Sequence, residues 1–113
     1  MKYLVAIIQP DRLNDVMDAL DQKEVHLVTV TEVMGCGRQK GEAEVYRGHK
    51  EIGRLLRKVK LEIAVNDEFA EAAIEAISGG SQSGQIGDGK VFVLELSECV
   101  RIRTGERGTA AIG

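Results

Sequence analysis

Three separated segments of this chain combine glycine with lysine or arginine, the residue types that hold anions. The first, Gly35-Cys36-Gly37-Arg38-Gln39-Lys40-Gly41, lies in a long stretch from Val33 to Lys58 that has no helical period and also carries Tyr46 and Arg47. Connections inside compact domains usually run about 4–6 residues, so a loop of this length points to function. Its spacing, G-x-G-x-x-x-G, is one residue too long for the dinucleotide fingerprint, and no helix follows to receive a pyrophosphate. The second segment, Gly84-Gln85-Ile86-Gly87-Asp88-Gly89-Lys90, nearly matches a P-loop. Val91 stands where a magnesium-binding hydroxyl belongs, and Val91-Phe92-Val93-Leu94 continues as a strand where a helix is required. Glycine amides beside Lys90 can still form an anion-binding nest. The third cluster is Arg101, Arg103 and Arg107; the first two, two positions apart, face one side of an extended segment. Each segment in isolation reads as basic surface. Together, in a chain of net charge −3, they point to a polyphosphate site and shift the balance toward nucleotide binding.

Other chemistries are poorly served. His26 and His49 have no acidic or cysteine partner at catalytic spacing, and no serine or cysteine sits in the surroundings of a nucleophile. Cys36 and Cys99 lack the spacing of a zinc site or a disulfide framework, so free thiols in a cytoplasmic protein are expected. The acidic balance argues against nucleic acid, and two Phe, two Tyr and no Trp leave little for base stacking. No segment is long and apolar enough for a bilayer, and the N-terminal run is broken by Gln9 and Pro10. A non-enzymatic binding protein is the expectation.

The elements that must position these residues follow from periodicity. At 113 residues the chain suits one domain with an aliphatic core. Lys2 to Gln9 reads as a buried strand, stopped by Pro10. Leu13, Val16, Met17 and Leu20 mark the inner stripe of a helix over about 11–23. Strand character returns over Val25 to Met34, and alternation resumes over Val59 to Val65. Asn66 and Asp67 are N-cap candidates for a second helix with Phe69, Ala73 and Ile77 on its inner face, weakened or ended by Gly79-Gly80. Lys90 to Leu96 is predicted as the last strand, Cys99 to Arg103 as a short extended piece, and Thr104 to Gly113 as a tail mobile unless a ligand or partner orders it. The order βαββαβ is that of an α+β, ferredoxin-like sandwich, an antiparallel sheet with two helices. One sheet face then needs cover, so oligomerisation is expected.

On these residues the chain resembles the PII nitrogen-regulatory signal-transduction proteins. The most specific pieces are Thr29-Val30-Thr31-Glu32-Val33, Gly37-Arg38-Gln39-Lys40-Gly41, Tyr46-Arg47-Gly48, Lys58-Val59-Lys60, Ile86-Gly87-Asp88-Gly89-Lys90 and Arg101-Ile102-Arg103-Thr104-Gly105-Glu106, in joint order over essentially the whole chain. The resemblance implies a single domain over 1–113, assembled as a homotrimer with ATP or ADP in clefts between subunits. Its T-loop would span about 37–55, its B-loop about 83–90 and its C-loop about 102–109. Thr29, Gly37, Arg38, Gly87, Asp88, Gly89, Lys90, Arg101 and Arg103 match nucleotide-contacting positions. Gln39, Lys40, Gly41 and Lys58 match the 2-oxoglutarate site, with Gln39 also offering an oxygen to Mg2+ that accompanies ATP. Tyr46 and Arg47 would dock on a target, commonly an ammonium channel, with Arg47 at the position that plugs the pore.

The chain departs from the family pattern at several places. Glu51 stands where many bacterial members carry the modified tyrosine, and His49 where cyanobacterial members carry a phosphorylated serine. Control by ligand occupancy rather than covalent modification is therefore expected. Arg57 replaces a residue that is usually proline, and Gly79-Gly80 is read as loosening the helix before the B-loop. A divergent branch acting on another transporter or a regulated enzyme follows as an alternative. So does a sensor of another small anion, such as bicarbonate, or of a metal-linked signal, and so does a small nucleotide hydrolase.

Overall fold

The computed structural model describes residues 1–36 and 55–113. The expectations placed on Gly37, Arg38, Gln39, Lys40, Gly41, Tyr46, Arg47, His49 and Glu51 lie outside the described residues.

The first strand, β1 (Lys2–Ile8), turns Leu4, Ala6 and Ile8 inward in strict alternation. Pro10 opens a 3-10 turn (Pro10–Arg12) rather than the helix itself, and α1 runs over Leu13–Gln22 with Val16 and Leu20 buried. Helix α1 closes through Glu24, whose φ of 61° reverses the chain so that the Val25 amide bonds the Leu20 carbonyl at 3.0 Å. Val25 is thus buried by the helix end, and not as part of the strand predicted to begin there: β2 spans Thr29–Gly35.

Strand β3 (Leu56–Val65) starts earlier than the alternation at Val59 suggested, because Leu56, Arg57 and Lys58 pair with Gly35, Met34 and Val33. Those pairs sit at the rim of the sheet, where backbone bonding needs no apolar pattern. Helix α2 (Asp67–Ser81) and β4 (Gly89–Glu95) complete a sheet of order β2-β3-β1-β4, with every pairing antiparallel. Strand β3 lies between β1 and β2, the split βαβ arrangement of a ferredoxin-like fold.

Inward residues of the strands meet both helices in one cluster that includes Leu61, Ile63, Val16, Leu20, Ala73 and Ile77. Two details of α2 differ from expectation. Phe69 is 37% exposed, whereas Ala73 and Ile77 of the expected stripe are buried together with Ala70 and Ala76. Gly79-Gly80 does not end the helix, which continues to Ser81. A Cβ at Gly80 would stand 2.9 Å from the Cα of Val16, so this glycine is a point where α1 and α2 approach closely, and the predicted loosening is replaced by tight packing. Asn66 starts α2 without a side-chain cap: its Nδ2 reaches the Thr109 carbonyl at 3.2 Å, while Asp67 pairs with the N-terminal ammonium at 2.9 Å.

Beyond β4 the predicted extended piece is a turn. The Arg101 amide bonds the Glu106 carbonyl at 2.9 Å and the Gly105 amide bonds the Arg101 carbonyl at 2.7 Å. The tail forms its own short helix, α3 (Thr109–Ile112), and buries Ala111. On the open face of the sheet, Phe92 and Leu94 stay 49% and 48% exposed beside Val5 and Tyr3.

Candidate functional site

The connection from α2 to β4 is built on glycines with positive φ: 84° at Gly84, 103° at Gly87 and 107° at Gly89. At Gly89 no other residue fits, because a Cβ would lie 1.8 Å from the Ile7 carbonyl oxygen. The loop therefore presses against β1 and carries Lys90 into the sheet opposite Ile7. Gln9 donates from Nε2 to the Gly87 carbonyl at 2.8 Å. This pairing of Gln9 across 78 positions has no local signal in the sequence.

Asp88 closes the loop on itself. Its Oδ2 accepts from the amides of Ser83 at 2.7 Å and Gly84 at 3.0 Å, and its Oδ1 accepts from the Ser83 hydroxyl. These donors, the hydroxyl foremost, hold the Asp88 carboxyl below the usual carboxylate range, helped by the charge of Arg12.

Between this loop and the ends of β2 and β3 lies an open cavity of about 480 Å³. Its walls bring together Lys58, Lys90, Gly87, Asp88 and Gly89, with Cys36 among the lining residues and Ile7, Leu56, Ile86 and Phe92 as an apolar surface. The combination suits a ligand with an anionic end and a flat apolar part, because glycine amides and ammonium groups bind oxyanions and the aliphatic and aromatic groups take the rest. Cys36 and Cys99 are both free thiols. Among the described residues, no group of three or more His, Cys, Asp or Glu could hold a metal ion. No helix among them is long and apolar enough to cross a membrane.

Among the described residues, Thr29, Arg101 and Arg103 are not in this cavity. Thr29 sits on the edge strand opposite Glu62, partway down the sheet, and is exposed. Arg101 and Arg103 lie past the opposite end of β4, where Leu96 bonds Met1 and Asn66 holds Thr109. The seven residues of β4 separate the two ends by roughly 20 Å. There the Arg101 guanidinium is held by Glu106 at 2.8 Å and by the Ala110 carbonyl at 3.3 Å.

Fold and cavity thus define an α+β protein with a glycine loop and an open cavity suited to an anion at one end of its sheet. Comparison with known proteins agrees and goes further. The family model described as Nitrogen regulatory protein P-II matches residues 1–106. A Nitrogen regulatory protein P-II from Bradyrhizobium diazoefficiens is 51% identical over 112 residues, 99% of this chain and 100% of the relative. Nitrogen regulatory protein GlnK1 from Methanosarcina mazei is 50% identical over 114 residues, 99% of this chain and 97% of the relative. The crystal structure of Arabidopsis thaliana PII bound to citrate superposes with a TM-score of 0.79 at 36% identity, covering 98% of this chain and 88% of that one. This chain belongs to the nitrogen regulatory protein P-II family, a family of signalling regulators.

Proposed function

We propose that this protein is a cytoplasmic, non-enzymatic sensor that binds ATP or ADP, with Mg2+ accompanying ATP and 2-oxoglutarate as co-effector. Gly87, Gly89 and Lys90 hold phosphate oxygens, Lys58 pairs with a carboxylate of the co-effector, and Ile7, Ile86 and Phe92 face the base. Gln39 supplies an oxygen to the metal, with Gly37, Arg38, Lys40 and Gly41 completing the anion site from the neighbouring loop. Occupancy biases a two-state loop, whose Tyr46 and Arg47 dock on an ammonium channel or another regulated transporter or enzyme.

One observation carries this reading. The basic clusters that a polyphosphate site would combine lie at opposite ends of the same sheet, Lys58 and Lys90 at one and Arg101 and Arg103 at the other. A second copy of the chain can deliver the arginines that the first keeps distant, in keeping with the homotrimer expected for an open, partly apolar sheet face. Thr29, exposed on the edge strand, suits a site shared in this way. Isothermal titration with ATP and ADP, with and without Mg2+ and 2-oxoglutarate, is expected to give saturable heat and one site per chain. Absence of heat with either nucleotide overturns the proposal. The citrate in the Arabidopsis relative favours a second reading, a small polycarboxylate as primary ligand; binding of citrate or 2-oxoglutarate without nucleotide would identify it.

A further inference from the structure

The loop over 83–88 is pinned at three places. Gln9 holds the Gly87 carbonyl, and the close approach of Gly89 to the Ile7 carbonyl oxygen holds the far end. The third tie is Asp88, which reaches back across the loop with both of its oxygens engaged: Oδ2 by two amides, Oδ1 by the Ser83 hydroxyl. That hydroxyl accepts in turn from the Gln85 amide at 3.3 Å. A bare carboxylate beside a polyphosphate repels it. A carboxylate that already accepts three hydrogen bonds from its own loop serves shape instead.

We infer that Asp88 is a positioning residue: by clasping Ser83 and Gly84 it sets the curvature that presents Gly87, Gly89 and Lys90 to an anion, and it does not itself contact the ligand. The ligand half of this inference rests on the nucleotide reading; the clasp does not. Asp88→Asn keeps the geometry without the charge, since its carbonyl oxygen can accept from both amides while its NH2 group donates to the Ser83 oxygen.

The test combines amide exchange by NMR at Ser83 and Gly84 with titration of MgATP. Asp88→Ala is expected to speed exchange at both amides and weaken MgATP binding by about tenfold or more, the size of a lost charged hydrogen bond. The Gly105 and Gly108 amides, bonded to Arg101 and Cys99 carbonyls at the other end of the sheet, keep their rates and report an intact fold. Asp88→Asn recovers most of both losses. Ser83→Ala, which removes a single tie, shows a smaller change of the same sign and serves if Asp88→Ala does not fold. The inference is overturned if Asp88→Asn protects the amides yet binds MgATP as poorly as Asp88→Ala, because the charge then acts on the ligand directly. It is equally overturned if Asp88→Ala frees the amides without weakening MgATP. Failure of the unmodified protein to bind MgATP sinks the nucleotide reading, and the clasp then stands or falls on exchange alone.

Discussion

The two ends of the sheet use similar residues in opposite ways. At the C-terminal end cations meet carboxylates: Arg101 pairs with Glu106 at 2.8 Å, Arg107 with Glu98 at 3.4 Å, and the N-terminal ammonium with Asp67 at 2.9 Å. At the glycine-loop end Asp88 takes its bonds from amides and a hydroxyl, and among the described residues Lys90 has no ion-pair partner. At one end Arg101 and Arg107 are paired locally and the tail is held down, while Arg103 is exposed with no ion-pair partner among the described residues. The other end keeps a lysine available over an open cavity, with the Asp88 carboxylate turned into the loop. Similar composition thus gives a structural end and a ligand-ready end.

The largest expected effect breaks the ligand-ready end outright. Gly89→Ala puts a Cβ into the Ile7 carbonyl at a positive φ, a clash against backbone that cannot relax by side-chain movement. A loss on the order of 3 kcal/mol in urea unfolding is expected, with nucleotide binding gone. Unchanged stability would mean that the loop does not press on β1.

Lys90→Ala and Arg101→Ala separate the ends by function. Removing Lys90 should weaken MgATP by roughly 10–100-fold while leaving the melting temperature nearly unchanged, as for a lost hydrogen bond to a charged group. Removing Arg101 should also speed amide exchange at Gly105 and Gly108, since it holds the tail as well as charge. If both variants lose only affinity, the local-neutralisation account of the C-terminal end fails.

A smaller contrast sits within α2, whose C-terminal turn leads into the glycine loop. Gly80→Ala should destabilise by about 1–2 kcal/mol, overpacking against Val16 outweighing the gain in helix propensity. Gly79→Ala meets nothing within 4 Å and should stabilise by up to about 1 kcal/mol. Equal signs in chemical unfolding would contradict the close helix approach.

The smallest effect is electrostatic. Asp88 and Asp67 both have lowered pKa values, Asp88 chiefly through the Ser83 hydroxyl and amide, Asp67 through the N-terminal ammonium. A depressed carboxylate stabilises the fold above its unfolded value, near 3.9, and that contribution is lost as pH falls through the lower folded value. Salt screens a charged partner far more than a neutral donor. NMR titration in high salt should therefore move Asp67 back toward the ordinary value and Asp88 much less; equal movement would show that Asp88 depends on charge, with Arg12 as its source.

Much of the scaffold was legible in the sequence because burial imposes a period. Leu4, Ala6 and Ile8, and Val59, Leu61, Ile63 and Val65, alternate as strands facing a core must, and Val16 and Leu20 recur at helical spacing. The ends of elements were less legible. Val25 is buried by a helix reversal, and Leu56 to Lys58 pair at a rim where pattern is not required. Gly80 looked like a helix breaker because its reason lies on Val16, far along the chain.

By itself the sequence determined the element order, the inward faces, the three anion-ready segments and, through their joint spacing, the family, since each rests on local residue type and period. Only the tertiary structure decided how the described basic residues are distributed. It gathered Lys58 with Gly87–Lys90, because the β2–β3 and β1–β4 ladders end side by side. It sent Arg101 and Arg103 to the far end, because β4 carries the chain the length of the sheet before the tail is tied to Asn66. It also folded Asp88 back onto Ser83 and Gly84, a matter of where two oxygens point in space, which no spacing of residues records.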